Sequence, residues 1–364
     1  MKKEIDEILK YPIFFEPNRV WRLYKGGAML DKLSGNTQSS DSFFPEEWIA
    51  STTVAQNDKN QQSEFEGLSS FVSPSGQRVF LRDVLEQFPD KILGADNIGE
   101  DGVGILCKFI DSAIRLPIQC HPDIPFAQKY CNSNHGKTEM WIVIGKRAVN
   151  GVEPYVYMGF KPDIDKEKFK QAVREQDMET VTSCMHKFEV NESDVFFIPG
   201  KLPHAIGPGC FILEVQEPTD LVVQPEKYLD GVELSDYDMW QGLDPEIGLE
   251  CFDYEHAYDR AETLKRFCPA EKIIEKTEDF VYSDVIDHSI TEHFRVQKLQ
   301  VNSSVDFKSR FPWYIAVVAE GEGMFRCGDK EFKLKKGDYY LTHNSVTELS
   351  YEANKKLSIY LISK

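Results

Sequence analysis

Glu192-Ser193-Asp194-Val195-Phe196-Phe197-Ile198-Pro199-Gly200-Lys201-Leu202-Pro203-His204-Ala205 runs from an acidic turn through an apolar strand to a Pro/Gly corner and a histidine. Such a corner turns the chain inward, so that His204 faces the axis of a small antiparallel β-barrel of the jelly-roll kind. Just downstream, Cys210, Ile212, Glu214 and Gln216 alternate with Phe211, Leu213 and Val215. Period-two alternation puts Glu214 on one face of a strand with polar neighbours, and that face is a candidate pocket wall.

Working outward, Leu116-Pro117-Ile118-Gln119-Cys120-His121-Pro122 places Gln119 and His121 on one face of an extended strand. Gly136-Lys137-Thr138-Glu139-Met140-Trp141 offers Glu139 on a second strand. An amide oxygen, a carboxylate and two imidazoles, the last from His204, make a ligand set suited to a zinc-like divalent ion. Gly104 to Ser112 reads as a buried strand interrupted by Lys108. A lysine among Leu106, Cys107, Phe109 and Ile110 must reach solvent or have a partner, and the ligand strand that follows at once favours a pocket.

Elsewhere the pattern is local. Pro12 to Leu33 reads as an entry strand and a turn at Gly26-Gly27, and Phe44 to Ser51 as a short strand. Residues 57–64 form a polar loop, and Phe80 to Leu93 has the spacing of a short helix ending before Gly94. Asp163 to His186 is a polar amphipathic helical insertion. In the C-terminal third, Lys336-Gly337-Asp338-Tyr339-Tyr340-Leu341-Thr342-His343 echoes the stretch around Asp194, with Glu320-Gly321-Glu322-Gly323 read as a turn. Laying Asp338 on Asp194 puts Glu348 where His204 stands, and His343 reads as a surface or loop residue.

Composition bounds the function classes. A chain of 364 residues exceeds most single cores and suggests two domains. The expected fold is mainly β, two jelly-roll β-barrel domains with a few inserted helices. The first, a metal-binding catalytic domain, spans 1–237 with helical insertions near 80–93 and 163–186; the second, without a metal site, spans 238–364. A net charge of −18 repels nucleic acid and anionic membranes. No apolar run is long enough to span a bilayer, so the default location is cytoplasmic. Eight dispersed cysteines without a CxxC pair read as reduced thiols.

These residues resemble the type I mannose-6-phosphate isomerase family, zinc-dependent enzymes of the cupin superfamily, through five segments in order: FPEEWIAST, CKFIDS, LPIQCHPD with GKTEMW, FFIPGKLPHA and LEVQEPTD. The resemblance implies zinc ligands at Gln119, His121, Glu139 and His204, and polar active-site roles for Lys108, Lys137, Glu214 and Asp220. It implies interconversion of mannose 6-phosphate and fructose 6-phosphate; an enediol route needs a base beside the carbonyl, for which Lys137 and Glu214 are the candidates, the choice between them staying open. Trp48 is a further candidate to line the substrate pocket. The implied partner is a small-molecule sugar phosphate, not nucleic acid or membrane, and formation of a homo-oligomer stays open. Zinc, cobalt, manganese and iron all suit the ligand types.

Two positions depart from the family pattern. Pro117 stands where the family has a substrate-holding serine, and Gln224 where it has an active-site arginine. Proline offers neither hydroxyl nor amide hydrogen, and glutamine no charge-assisted fork. Lys227 compensates if the loop after Gln224 turns back over the pocket. Three functions therefore stay open: the family's isomerase, an isomerase of the same fold for a different sugar or sugar phosphate, and a non-catalytic metal-bearing sugar-binding protein.

Overall fold

A computed structural model of the chain describes residues 2–57, 63–95, 102–346 and 348–364. The loop expected over 57–64 therefore lies largely outside the described residues. The fold is mainly β. In a six-stranded antiparallel sheet the order is Val195–Ile198, Glu139–Lys146, Cys210–Gln216, Leu106–Asp111, Glu46–Ile49 and Arg19–Val20. A three-stranded sheet of His204–Ile206, Tyr155–Phe160 and Met185–Glu189 belongs to the same half of the chain. Trp141, Val143, Met158, Phe160, Ile206 and Ile212 from both sheets share one apolar core, the packing expected of a jelly roll.

The six-stranded sheet is covered on its other face as well. Cys107, Phe109, Met140, Ile142, Leu213 and Val215 join Val285, Val296, Ile315, Val317 and Ile362 of the C-terminal sheet in a second core. Burial on both faces explains why Leu106–Asp111 and Cys210–Gln216 are buried throughout rather than alternately.

The C-terminal sheet has nine strands, with Tyr314–Cys327 and Glu348–Ser363 at its centre. Ile13–Phe14, from the other end of the sequence, pairs with Leu341 and Tyr340. The echo between Asp194 and Asp338 is structural. Each carboxylate accepts from the backbone three residues earlier, Asn191 N at 2.7 Å and Lys335 N at 2.8 Å. Each carbonyl accepts from the neighbouring strand, Val143 N at 3.0 Å and Val318 N at 2.9 Å. Phe14, Phe325, Phe332, Tyr340 and Tyr351 pack ring on ring within this second half. Glu348 is exposed and pairs with Lys308 at 3.2 Å.

Several local readings need correction. Glu320 to Gly323 is not a turn: Tyr314–Cys327 runs through it, with register shifts at Val318/Glu320 and Gly321/Gly323. Glycine serves a bulge here. Gly321 has φ +82°, and a Cβ on it would lie 1.9 Å from the Lys356 carbonyl oxygen. Gly321→Ala is accordingly expected to cost about 3 kcal/mol, read as a lower urea midpoint. Gly328→Ala, also at positive φ but with nothing near the new methyl, is expected to cost about 1 kcal/mol.

The helix expected over 80–93 is two, Leu81–Gln87 and Pro89–Leu93, because Pro89 cannot continue the first and opens the second. A helix at Ala28–Leu33 follows Gly27 where only a turn was expected. His343 lies in a loop but is fully buried, its Nε2 3.0 Å from the Tyr11 carbonyl oxygen. The helices Lys166–Glu175 and Met178–Ser183 form the inserted amphipathic segment, capped by Asp165 and Asp177. All eight cysteines are free. Among the described residues no helix is long and apolar enough to cross a membrane.

Candidate metal centre and its pocket

Strand register assembles the wall of the site. Trp48 lies opposite Lys108, Lys108 opposite Glu214, and Glu214 opposite Trp141, so four strands present one cross-strand row on the same face. Glu46, two residues before Trp48, shares that face. The Lys108 ammonium lies 3.1 Å from Glu214 and 3.6 Å from Glu46. The Trp141 indole donates to Glu214 at 3.2 Å and the Trp48 indole to Glu46 at 2.7 Å. Lys108 is thus a partnered buried lysine and not one reaching past the sheet edge to solvent.

Behind this row His121, Glu139 and His204 converge, their ligand atoms within 4.8 Å of one another and all three residues buried. Glu139 begins its strand and His204 begins another, while Gln119 pairs with His204 through backbone bonds of 2.9 and 3.0 Å. The corner that delivers His204 is tight. Lys201 adopts φ +72°, and its amide donates to the His121 carbonyl at 2.7 Å.

Backbone carbonyls fix both imidazole tautomers. His121 Nδ1–H donates to Leu221 O and His204 Nδ1–H to Leu202 O, each at 2.8 Å. Each Nε2 is therefore left as a lone pair, 3.2 and 3.4 Å from the Glu139 oxygens. Burial and the neighbouring Lys137 push His121 down to about 3, and burial lowers His204 as well. Burial opposes charge on Glu139, but the His121 ring and the Lys137 ammonium, 3.5 Å away, hold its carboxyl below the usual range. Glu139 Oε2 and His204 Nε2 have no hydrogen-bond partner. Electron-pair donors that face one another in a dry interior are costly unless a cation joins them, so this donor set fits a divalent metal.

Lys108, Lys137, Glu214, Asp220, Pro117, Gln119 and Gln224 all line one cavity beside this cluster. Burial, then the charge of Glu139, raises Glu214 to about 7, against the pull of Lys108 and Lys137. Lys137 Nζ lies 3.1 Å from His121 Nε2. Its loop is clamped by the buried Glu217, which accepts from the amides of Gly136 at 3.1 Å and Thr138 at 2.8 Å.

Not every expectation is met. Trp48 does not line the cavity; it is wholly buried behind it, because the indole turns back to bond Glu46. Lys227 does not return over the pocket but pairs at the surface with Glu233 at 2.9 Å. Gln224 spends its amide on the Asp238 carbonyl at 2.9 Å. Reading the sequence missed Arg22, Glu46 and Glu217. Glu46 was recoverable as the residue two before Trp48 on the same strand face, and Glu217 lies within LEVQEPTD. Arg22 carries no periodic signal, since it follows the two-residue strand Arg19–Val20 in irregular chain.

Comparison with known proteins agrees with this geometry. Residues 284–358 match the family model for the mannose-6-phosphate isomerase cupin domain. A mannose-6-phosphate isomerase of Streptococcus mutans is 26% identical over 255 residues, 70% of this chain and 72% of that protein. Mannose-6-phosphate isomerase ManA of Bacillus subtilis is 25% identical over 254 residues, 69% of this chain and 73% of that one. The crystal structure of the mannose 6-phosphate isomerase from Bacillus subtilis superposes with a TM-score of 0.73 at 19% identity, covering 96% of this chain and 99% of that one. A mannose 6-phosphate isomerase solved with zinc and yttrium superposes with a TM-score of 0.66 at 15% identity, covering 96% and 99%. The family model lies in the C-terminal half, whereas the metal cluster and its pocket lie in the other. Across both halves, then, the chain is similar in sequence and in fold to mannose-6-phosphate isomerases, and over residues 284–358 to their cupin domain.

Proposed function

We propose that the protein is a zinc-dependent isomerase interconverting mannose 6-phosphate and fructose 6-phosphate through an enediol, and that its C-terminal half is a second cupin unit without a metal site. The observation that carries this reading is the buried His121, Glu139 and His204 cluster set against a wall where Lys108, Lys137 and Glu214 meet. Aldose–ketose exchange needs a base for the proton beside a carbonyl and a donor for the oxygen that gathers charge. Glu214, a buried carboxyl raised to about 7, is poised for the first task. Lys108 and the Trp141 indole fix its orientation. Lys137 projects into the cavity next to the cluster and can donate to the developing oxyanion. A zinc ion held by His121, Glu139 and His204, with Gln119 beside them, would supply Lewis-acid polarisation of the carbonyl.

A second reading, an isomerase of this fold for a different sugar or sugar phosphate, is favoured by Pro117 and Gln224, which line the cavity without a charge or hydroxyl. The test is ketose formation by the purified protein from mannose 6-phosphate, with mannose and other aldose phosphates in parallel. Turnover of mannose 6-phosphate that a chelator abolishes and zinc restores supports the first reading. Turnover confined to another sugar supports the second, and stoichiometric metal without any turnover leaves a binding protein.

A further inference from the structure

The sugar-phosphate reading leaves the anionic end of the substrate without a partner, since Pro117 and Gln224 are neutral and Lys227 points away. Among the described residues, three cationic side chains line the cavity: Arg22, Lys108 and Lys137. Lys137 lies against the metal cluster, at 3.1 Å from His121 and 3.5 Å from Glu139. Lys108 is enclosed between Glu214 and Glu46, its side chain 4% exposed. Arg22 lies beyond Glu46, where Asp220 and Asn57 complete the wall, its side chain 11% exposed.

The Arg22 guanidinium is held on three sides. Its Nε donates to Glu46 at 3.0 Å, Nη1 to Asn57 Oδ1 at 3.0 Å and Nη2 to Asp220 at 3.1 Å. Its plane also lies over the Trp48 ring, 5.2 Å from the centroid. A guanidinium has five N–H donors; Nη2 reaches both Asp220 oxygens, at 3.1 and 3.3 Å, and Nη1 keeps one N–H that these contacts do not use. Burial works against its charge, and Asp220 and Glu46 more than restore it. The result is a charged guanidinium, already oriented and lining the cavity, of the kind that recognises phosphate by charge-assisted hydrogen bonds.

We propose that Arg22 is the substrate-binding residue that grips the phosphate of the sugar phosphate. Asp220 then has two opposed effects: it orients the guanidinium and it repels the anion that the guanidinium binds.

The test is calorimetric binding of mannose 6-phosphate, mannose and inorganic phosphate to the metal-loaded protein and to its variants, alongside wild-type turnover. Arg22→Gln is expected to weaken mannose 6-phosphate by about 30-fold while mannose changes less than about threefold. Should Arg22→Gln fold poorly because Glu46 and Asp220 lose their partner, Arg22→Gln with Asp220→Asn removes one orphaned carboxylate. That pair is compared with Asp220→Asn alone, which keeps the guanidinium and is expected to bind inorganic phosphate more tightly than wild type. Equal weakening of mannose and mannose 6-phosphate, or no weakening of either, overturns the proposal. Wild-type turnover with unaltered binding in Arg22→Gln sinks the Arg22 assignment and leaves the isomerase reading intact. A phosphate-selective loss in a protein that turns over no mannose 6-phosphate does the reverse.

Discussion

In the His204→Ala protein, stoichiometric divalent metal is expected to be lost and turnover of mannose 6-phosphate to fall by about three orders of magnitude or more, on the order of 4 kcal/mol in the transition state. The reasoning starts from the tautomers. Because Leu202 O and Leu221 O fix the protons on Nδ1, both Nε2 lone pairs point at the Glu139 oxygens. Removing one imidazole leaves one carboxylate and one nitrogen as strong donors, with the neutral Gln119 amide oxygen as the third, a set too weak to hold zinc stoichiometrically. Gln119→Ala is expected to do less, since a neutral amide oxygen is the weakest donor of the proposed set. His343→Ala is the control: His343 is also buried, but its Nε2 faces the Tyr11 carbonyl oxygen, so its loss should lower stability without removing metal. Elemental analysis of the purified variants with a coupled ketose assay reads both quantities. Retention of full metal by His204→Ala would falsify the assignment of the site.

The same residues explain how much could be read from the chain alone. A proline-glycine corner ending in His204, and Gln119 two residues before His121, are local patterns, and the barrel turns them inward because strand geometry leaves little choice. Lys108 and Glu214 were legible as oddities, polar groups inside apolar strands, and their register pairing supplies the partner each needed. What stayed hidden is set by contacts distant in sequence. Arg22 reaches Asp220 across 198 positions from a segment with no periodicity, and no local pattern forecasts that. Aromatic character makes Trp48 a pocket candidate, but an indole N–H two residues from a buried carboxylate finds it and turns inward. Gly321 reads as a turn because glycine signals turns and bulges alike. Only the 1.9 Å approach of the Lys356 oxygen separates the two.

Glu214→Gln is expected to lower kcat by about 10²–10⁴ with little change in KM. Glutamine keeps the shape and can still accept from the Trp141 indole, so the loss isolates proton transfer from packing. The pH profile gives the sharper test. A general base works ionised, and Glu214 is raised to about 7 chiefly by burial and next by Glu139. Below that pH its ionised fraction falls tenfold per unit, so kcat/KM should fall along an acid limb of unit slope. A divalent cation on Glu139 offsets the charge that raises Glu214, so the limb of the metal-loaded enzyme should lie at or below 7. Lys108→Met removes a charge that lowers Glu214 and must therefore move the limb to higher pH. If the acid limb survives unchanged in Glu214→Gln, the base is a different group, and Lys137, 3.1 Å from His121 and lining the same cavity, takes that role.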